Sequence, residues 1–446
     1  MKSSTTGFII LLSLLALAVG GVRYYFIPKY YPQLLKVELA SKDANGVAAD
    51  VQASPSPSLV PVGSIATVSA QLLKTLTPRQ KVAQLLSAPI TVPTNDKAQS
   101  IASAAASVQN EVPGFMTLFG QNVSALQADR LTKELKKISI QPRMVATQPT
   151  LSEQERQFLN PLIAVDHEGG SVQRLTGEGM TVLPSAMEQC KLQREELLSL
   201  LGRAAKELNG VGVDIVFAPV VDLGSDHPIL KTRLCSDNAD LVRSYGVFWI
   251  DAMQSEHIIP VIKHFPGIGQ TSVDLHKKAD VITLDPIENS IFLGLLTTYP
   301  RIGVMTTHVA LKTDDGSTPL PCTVSEKCLE NLRTGSPRLI FTDGLEMAAA
   351  KGQSQSSSSA TLSESSLQDQ KQSLSGLAIS AIEAGHNVIV LGKTVQRSET
   401  DQIVSDLADR YQRNPVFKQK VDQALRTIWQ AKYEQWSALG TLISIK

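Results

Sequence analysis

Between Val82 and Lys432 the chain alternates short apolar runs with longer stretches of helical period. The apolar runs are Val82 to Pro89, Gly114 to Phe119, Leu162 to Val165, Val213 to Ala218, Ile258 to Ile262, Ile302 to Thr306, Leu339 to Phe341 and Asn387 to Leu391. They are short and rich in β-branched residues, as strands buried on both faces are. Between them, Ser124 to Lys137, Arg194 to Leu208, Ala239 to Glu256 and Leu374 to Ala384 read as helices. Thr77-Pro78-Arg79-Gln80 supplies an N-cap, a first-turn proline and a capping-box glutamine ahead of Val82, Leu85 and Leu86. Eight β-then-α units predict an α/β fold, a single (β/α)8 TIM barrel whose site is built at the carboxyl ends of its strands. A doubly wound open sheet is the structural alternative.

The flanks follow other rules. Gly7 to Val22 is a run of sixteen uncharged, mostly apolar residues, followed by Arg23 and the cluster Tyr24-Tyr25-Phe26. Residues 1–31 therefore read as an export signal or a membrane anchor, with the apolar and aromatic residues 7–27 as the anchoring part and Ala16-Leu17-Ala18 fitting a cleavage site. The expected location is the periplasmic or extracellular face. Pro32 to Val68 is rich in Ala, Ser, Pro and Val, so residues 32–71 are expected to be a flexible linker and 72–446 the folded domain. Residues 353–375, QSQSSSSATLSESSLQDQKQSLS, form a Ser-rich insert too poor in apolar residues to pack.

Composition narrows the function. Lys and Arg together number 42, as do Asp and Glu, which removes the case for nucleic acid as a partner. Hydrophobic content of 43% with 5% aromatic suits an α/β protein better than a β-sandwich. Cys190, Cys235, Cys322 and Cys328 are widely spread with no CxxC pair and read as bystander thiols, neither a metal site nor a disulfide scaffold.

The chemistry gathers where the apolar runs end. Val261 to His276, VIKHFPGIGQTSVDLH, places Lys263 and His264 at the end of a strand and Asp274 and His276 beyond a turn built on Pro266, Gly267 and Gly269. The third run leads into Asp166-His167-Glu168-Gly169-Gly170 and then Arg174; the fourth leads to Asp222, with Arg233 beyond it; the sixth ends at His308 and the seventh at Thr342-Asp343-Gly344. Glu168, Asp222 and His308 read as structural hydrogen-bonders. Asp343 is a carboxylate at a buried strand end, placed for a nucleophile, and His276 beside Asp274 is a candidate acid/base. A carboxylate opposite an acid/base is the logic of retaining glycoside hydrolysis. Asp166, Arg174, Arg233, Lys263 and His264 would then hold sugar hydroxyls.

VDHEGGSVQRL, DIVFAPVVDLG, KHFPGIGQTSVDLH, VMTTHV and IFTDGLEM, in this order, resemble glycoside hydrolase family 3, and more narrowly its bacterial β-N-acetylglucosaminidase branch acting on peptidoglycan-derived sugars. The resemblance covers Leu72 to Lys432. It implies a single (β/α)8 barrel with no metal and no cofactor, Asp343 as nucleophile, His276 as acid/base held by Asp274, and Asp166, Arg174, Arg233, Lys263 and His264 as the residues binding N-acetylglucosamine. Phosphorolysis, a β-glucosidase of the same family and a non-catalytic sugar-binding barrel are the rival readings. Ser171, Leu234-Cys235, Ile268, Leu275 and Gly344 depart from the usual motifs.

Overall fold

The computed structural model describes residues 62–438 except 95–96, 107–111, 139–150, 152, 226, 314–317, 334–337, 348–349 and 351–372. The apolar run of residues 7–22 lies outside the described residues, as does the Ser-rich insert up to residue 372. No helix among the described residues is long and apolar enough to cross a membrane.

Each of the eight apolar runs contains a strand. They are β1 (Leu86–Thr91), β2 (Phe115–Phe119), β3 (Leu162–Val165), β4 (Ile215–Val216), β5 (Ile259–Phe265), β6 (Gly303–Thr306), β7 (Ile340–Phe341) and β8 (Ile389–Val390). All neighbours pair in parallel, in the order β7-β6-β5-β4-β3-β2-β1-β8. A parallel bridge from Phe341 to Val388 brings the two ends of that order together. The result is an eight-stranded parallel barrel, as the alternation predicted, and not an open sheet.

Local chemistry accounts for the helices around it. Thr77 accepts from Gln80 N at 3.2 Å while Gln80 Oε1 accepts from Thr77 N at 3.0 Å, the reciprocal capping box read from the sequence. Ser124 and Gln127 repeat the arrangement ahead of Ala125–Lys136. Ser373 caps Leu374–Ala384, which closes on Gly385 in the left-handed region.

Inside the barrel, Phe341 packs edge-on against Phe115 and Phe217, with ring centroids 5.7 and 5.4 Å apart. All three rings are fully buried, each removing apolar surface worth about 2–3 kcal/mol. At the amino-terminal end of the strands Lys432, from the helix Pro415–Ala438, donates to Gln84 Oε1, Phe158 O and Asn160 O. Burial pushes the Lys432 ammonium down to about 7.

Two expectations are corrected here. The linker expected over 32–71 is helical from Val62, because Val62–Thr75 forms a helix that buries Ile65, Ser69 and Leu72 on one face and packs against Pro415–Ala438. The 3.6-residue period is present, but intervening Ala, Ser and Thr dilute it. The cysteines are not free thiols: Cys190 pairs with Cys235 and Cys322 with Cys328, at Cα separations of 5.6 and 5.3 Å. A disulfide needs only this proximity, which the fold supplies without a CxxC spacing.

Candidate active site

The site is assembled from loops at the carboxyl ends of β3 to β7. After β3 the chain turns back in a hairpin, His167–Gly169 against Val172–Gln173. Gly169 and Gly170 have φ of +99° and +55°, and a Cβ on Gly169 would lie 2.2 Å from Pro184 O. Only glycine fits that turn. It aims Asp166 and Glu168 inward.

Glu168 is the hub of the floor. It takes Arg233 in two bonds of 2.8 Å, Nε to Oε2 and Nη2 to Oε1, and Lys263 Nζ at 2.7 Å. Lys263 also donates to Asp166 Oδ1 at 3.0 Å, and Arg174 Nη2 stands 3.6 Å from Asp166 Oδ2. Burial would raise the Glu168 carboxyl, but Arg233 and Lys263 draw it down to about 2. Burial would likewise lower the Lys263 ammonium, yet Glu168 and Asp166 hold it above its usual value. These groups are ionised because they are paired. Lys263 and His264 lie within β5, which runs on past them to Phe265, so both are held by the sheet as well as by their partners.

His264 Nδ1 bonds Asp222 Oδ2 at 2.7 Å, leaving Nε2 facing Arg233 Nη2 at 3.5 Å. Asp222 also accepts from the backbone N–H of His264 and Ile268, each at 3.1 Å. His308 is fully buried between Thr323 Oγ1 and Gly344 O. Gly344 O can only accept, so Nε2 carries the His308 proton. Burial lowers the His308 imidazole. Both of its ring nitrogens are thus engaged against the strand end.

Asp343 lies two residues beyond β7, after Thr342. Burial opposes its ionisation, but electrostatic interaction with His308, His264 and Lys263 and the N–H of Gly344, 2.7 Å from Oδ1, bring the carboxyl below its ordinary value. The charged form of Asp343 is thus favoured just beyond the end of a buried strand, beside an ion-paired floor.

Asp274 and His276 lie above, on the loop after β5. Gly267, with φ of +122°, starts that loop. His276 Nδ1 bonds Asp274 Oδ1 at 2.9 Å, as the Asp-x-His spacing suggested, and its side chain is 72% exposed. His276 lies within electrostatic reach of His308 and Glu346, which puts it at the same mouth. All eight residues singled out from the sequence thus converge on this end of the barrel: Asp166, Arg174, Arg233, Lys263, His264 and Asp343 at its floor and wall, Asp274 and His276 over it.

Sequence reasoning understated Glu168, a hydrogen-bonder that organises the floor, and missed Glu288 and Glu346. Glu288, 2% exposed in the helix Pro286–Thr298, bonds the loops after β4 and β5. Glu346 accepts from Gly392 N at 2.9 Å and ties the Asp343 loop to the end of β8. Three departures from the usual motifs have a common place: Leu234, Ile268 and Leu275 pack with Val220, Leu230, Ile282, Val309 and Met347 in one small apolar cluster beneath the His276 loop. A fourth, Cys235, is disulfide-bonded to Cys190, which fixes the turn carrying Arg233.

These features define a class, the parallel α/β barrel with an ion-paired site at the carboxyl ends of its strands. Within it the chain belongs to glycosyl hydrolase family 3, whose N-terminal domain model matches residues 77–431. It is 35% identical over 210 residues to a beta-hexosaminidase of Thioalkalivibrio sulfidiphilus, a segment covering 43% of this chain and 58% of that protein. It is 30% identical over 182 residues to the beta-hexosaminidase LpqI of Mycobacterium tuberculosis, covering 39% and 46% of the two chains. The chain thus spans about half the length of these relatives. Among solved structures, a beta-N-acetylhexosaminidase from Beutenbergia cavernae superposes with a TM-score of 0.62 at 23% identity, covering 80% of this chain and 98% of that one. Mycobacterium tuberculosis LpqI superposes with a TM-score of 0.61 at 24% identity, over 82% and 96%. At these identities the structures show a shared fold.

Proposed function

We propose that the protein is a retaining exo-β-N-acetylglucosaminidase that removes terminal N-acetylglucosamine from peptidoglycan-derived or related glycans. The observation that supports this reading is the buried Asp343 just beyond β7, whose carboxyl the Gly344 N–H at 2.7 Å and electrostatic interaction with His308, His264 and Lys263 hold below its ordinary value. In the first step an Asp343 oxygen attacks the anomeric carbon, the bond to the leaving oxygen breaks, and His276 gives that oxygen its proton. In the second, His276 takes a proton from water, whose oxygen attacks the same carbon and displaces the Asp343 carboxylate. Asp274 orients the imidazole through Nδ1, so that Nε2 is the atom exchanging the proton. Asp166, Arg174, Arg233, Lys263 and His264 hold the sugar.

The names of the relatives support an N-acetylhexosamine as the sugar, and membership of the family supports the barrel as the catalytic unit. The two disulfides support an oxidising compartment, hence export, with residues 7–27 as signal or anchor.

The test is hydrolysis of an aryl β-N-acetylglucosaminide beside the matching β-glucoside, by the wild type and by Asp343→Ala. Turnover of the acetamido sugar alone, reduced in the variant by a factor on the order of 10³ or more, is expected. Sugar binding without turnover of either substrate would replace this reading with a non-catalytic barrel. Turnover that requires inorganic phosphate would make the enzyme a phosphorylase.

A further inference from the structure

The sequence Asp285-Pro-Ile-Glu288 has the spacing of a capping box, in which the glutamate would turn back onto its own helix start. Asp285 does cap, accepting from Ile287 N and Glu288 N. Glu288 does not turn back. Its Oε1 accepts from Leu223 N at 2.8 Å and from Gly269 N at 3.0 Å, joining the end of the β4 segment to the loop after β5. The backbone is shaped to this carboxyl: a Cβ on Gly267 would fall 2.2 Å from Glu288 Cδ, and one on Gly269 would fall 1.9 Å from Leu223 O and 2.9 Å from Glu288 Oε1.

Two buried carboxyl groups therefore hold two consecutive amides of the same loop. Asp222 takes Ile268 N at 3.1 Å and Glu288 takes the next, Gly269 N. Asp222 is also the partner of His264, and Glu288 also holds Leu223, the residue after Asp222. The root of the loop is thereby set in register with a residue of the floor. Farther along, Thr271 Oγ1 donates to Asp280 Oδ2 at 2.6 Å, and Leu275 is buried in the apolar cluster while its neighbour His276 points out.

We infer that Glu288 is a positioning residue for proton transfer: it touches no substrate, and by clamping Leu223 and Gly269 it fixes where the Asp274–His276 pair stands relative to the sugar site. This rests on the acid/base reading of His276. A residue that merely supports the fold would, when removed, depress turnover of every substrate alike. A residue that places the proton donor affects poor leaving groups most, because only these need the proton as the bond breaks.

The experiment compares kcat/KM across aryl β-N-acetylglucosaminides of graded leaving-group acidity, for the wild type, His276→Ala, Glu288→Ala and Glu288→Gln, with N-acetylglucosamine affinity measured alongside. Glu288→Ala is expected to lose about 10- to 100-fold on the poorest leaving group and only a few-fold on the best, following the slope of His276→Ala. N-acetylglucosamine affinity should stay within about threefold, because the floor is untouched. Glu288→Gln, which keeps an oxygen able to accept both amides, should recover most of the loss. Equal losses across the series in Glu288→Ala, while His276→Ala retains its slope, overturn the inference and leave the acid/base reading standing. A flat series for His276→Ala overturns that reading itself. If Glu288→Ala does not fold, Gly269→Ala pushes the same loop off the same carboxyl and is expected to show the same slope; a uniform loss there overturns the inference equally.

Discussion

Lys263 and His276 sit one loop apart on the same strand-turn segment, yet the Lys263 side chain is 3% exposed and that of His276 is 72%. Lys263 belongs to a floor in which every charge has a partner: Asp166, Glu168 and, through Glu168, Arg233. His276 has Asp274 and otherwise solvent. Groups that must hold a sugar ring in one orientation gain from burial, because an ion pair in a low-dielectric site is strong and does not rearrange. A group that must pass a proton to a leaving oxygen and then take one from water works at the boundary with solvent. On the proposed mechanism, the burial difference follows a division of labour between binding and proton transfer.

The comparison breaks most severely if the floor is opened. Glu168→Ala leaves the Arg233 guanidinium without its two-bond partner and Lys263 with Asp166 alone, both in the buried floor. Removing one member of such a network costs about 3–5 kcal/mol, since the remaining charge is stranded. Denaturant unfolding should show that loss, and N-acetylglucosamine binding should vanish with it. A cost below about 1 kcal/mol would mean that the packing, and not the ion network, holds the floor.

An intermediate effect is expected from the clamp between floor and loop. Burial first, and the nearby charges of Asp222 and Asp285 after it, push the Glu288 carboxyl up to about 8, against the pull of the Leu223 and Gly269 amides. Its folded value thus lies above its unfolded one. Protonated Glu288 stabilises the fold most below about pH 4.5, and that contribution is lost as pH rises through about 8. Glu288→Gln cannot ionise and should lack the loss. Between pH 5 and pH 9 the wild type should lose about 4 kcal/mol more than the variant in denaturant unfolding. Parallel curves for the two proteins would show that the carboxyl ionises freely and that Asp222 does not oppose it.

How far the sequence reveals this division depends on the kind of signal each part leaves. The strands are legible because a strand buried on both faces must be largely apolar, as Leu162 to Val165 and Ile258 to Ile262 are, and the residue after each is then conspicuous when charged. That is how Asp166, Lys263 and Asp343 stand out. The cysteines were misread because the spacings, 45 and 6 residues, carry no local pattern; Cys190 meets Cys235 only once the short helix Ala186–Gln189 and the turn bearing Arg233 lie side by side. Glu288 was hidden by ambiguity, since a glutamate three places after an aspartate N-cap reads fully as local helix chemistry. The helix from Val62 was hidden by dilution among small residues. Leu234, Ile268 and Leu275 looked like three separate departures, and only the folded chain shows them to be one apolar contact set.

The smallest effect sharpens the comparison most, because it concerns two histidines with the same side-chain chemistry. His264 is buried, with Nδ1 on Asp222 Oδ2 at 2.7 Å. His264→Ala removes that partner and opens a void in the buried floor, at a cost of about 1–3 kcal/mol. His276 makes its side-chain bond to Asp274 at the surface, and the loop beneath it is held by Leu275, the Thr271–Asp280 bond and the amide clamps, none of which involves the imidazole. His276→Ala should therefore change stability by no more than about 0.5 kcal/mol. Activity should divide the pair differently. His264→Ala weakens N-acetylglucosamine binding whatever the leaving group, whereas His276→Ala spares binding and slows the substrates that need a proton. If His276→Ala proved as destabilising as His264→Ala, the loop would be part of the same cooperative core as the floor, and exposure alone would no longer separate the residue that moves the proton from those that hold the sugar.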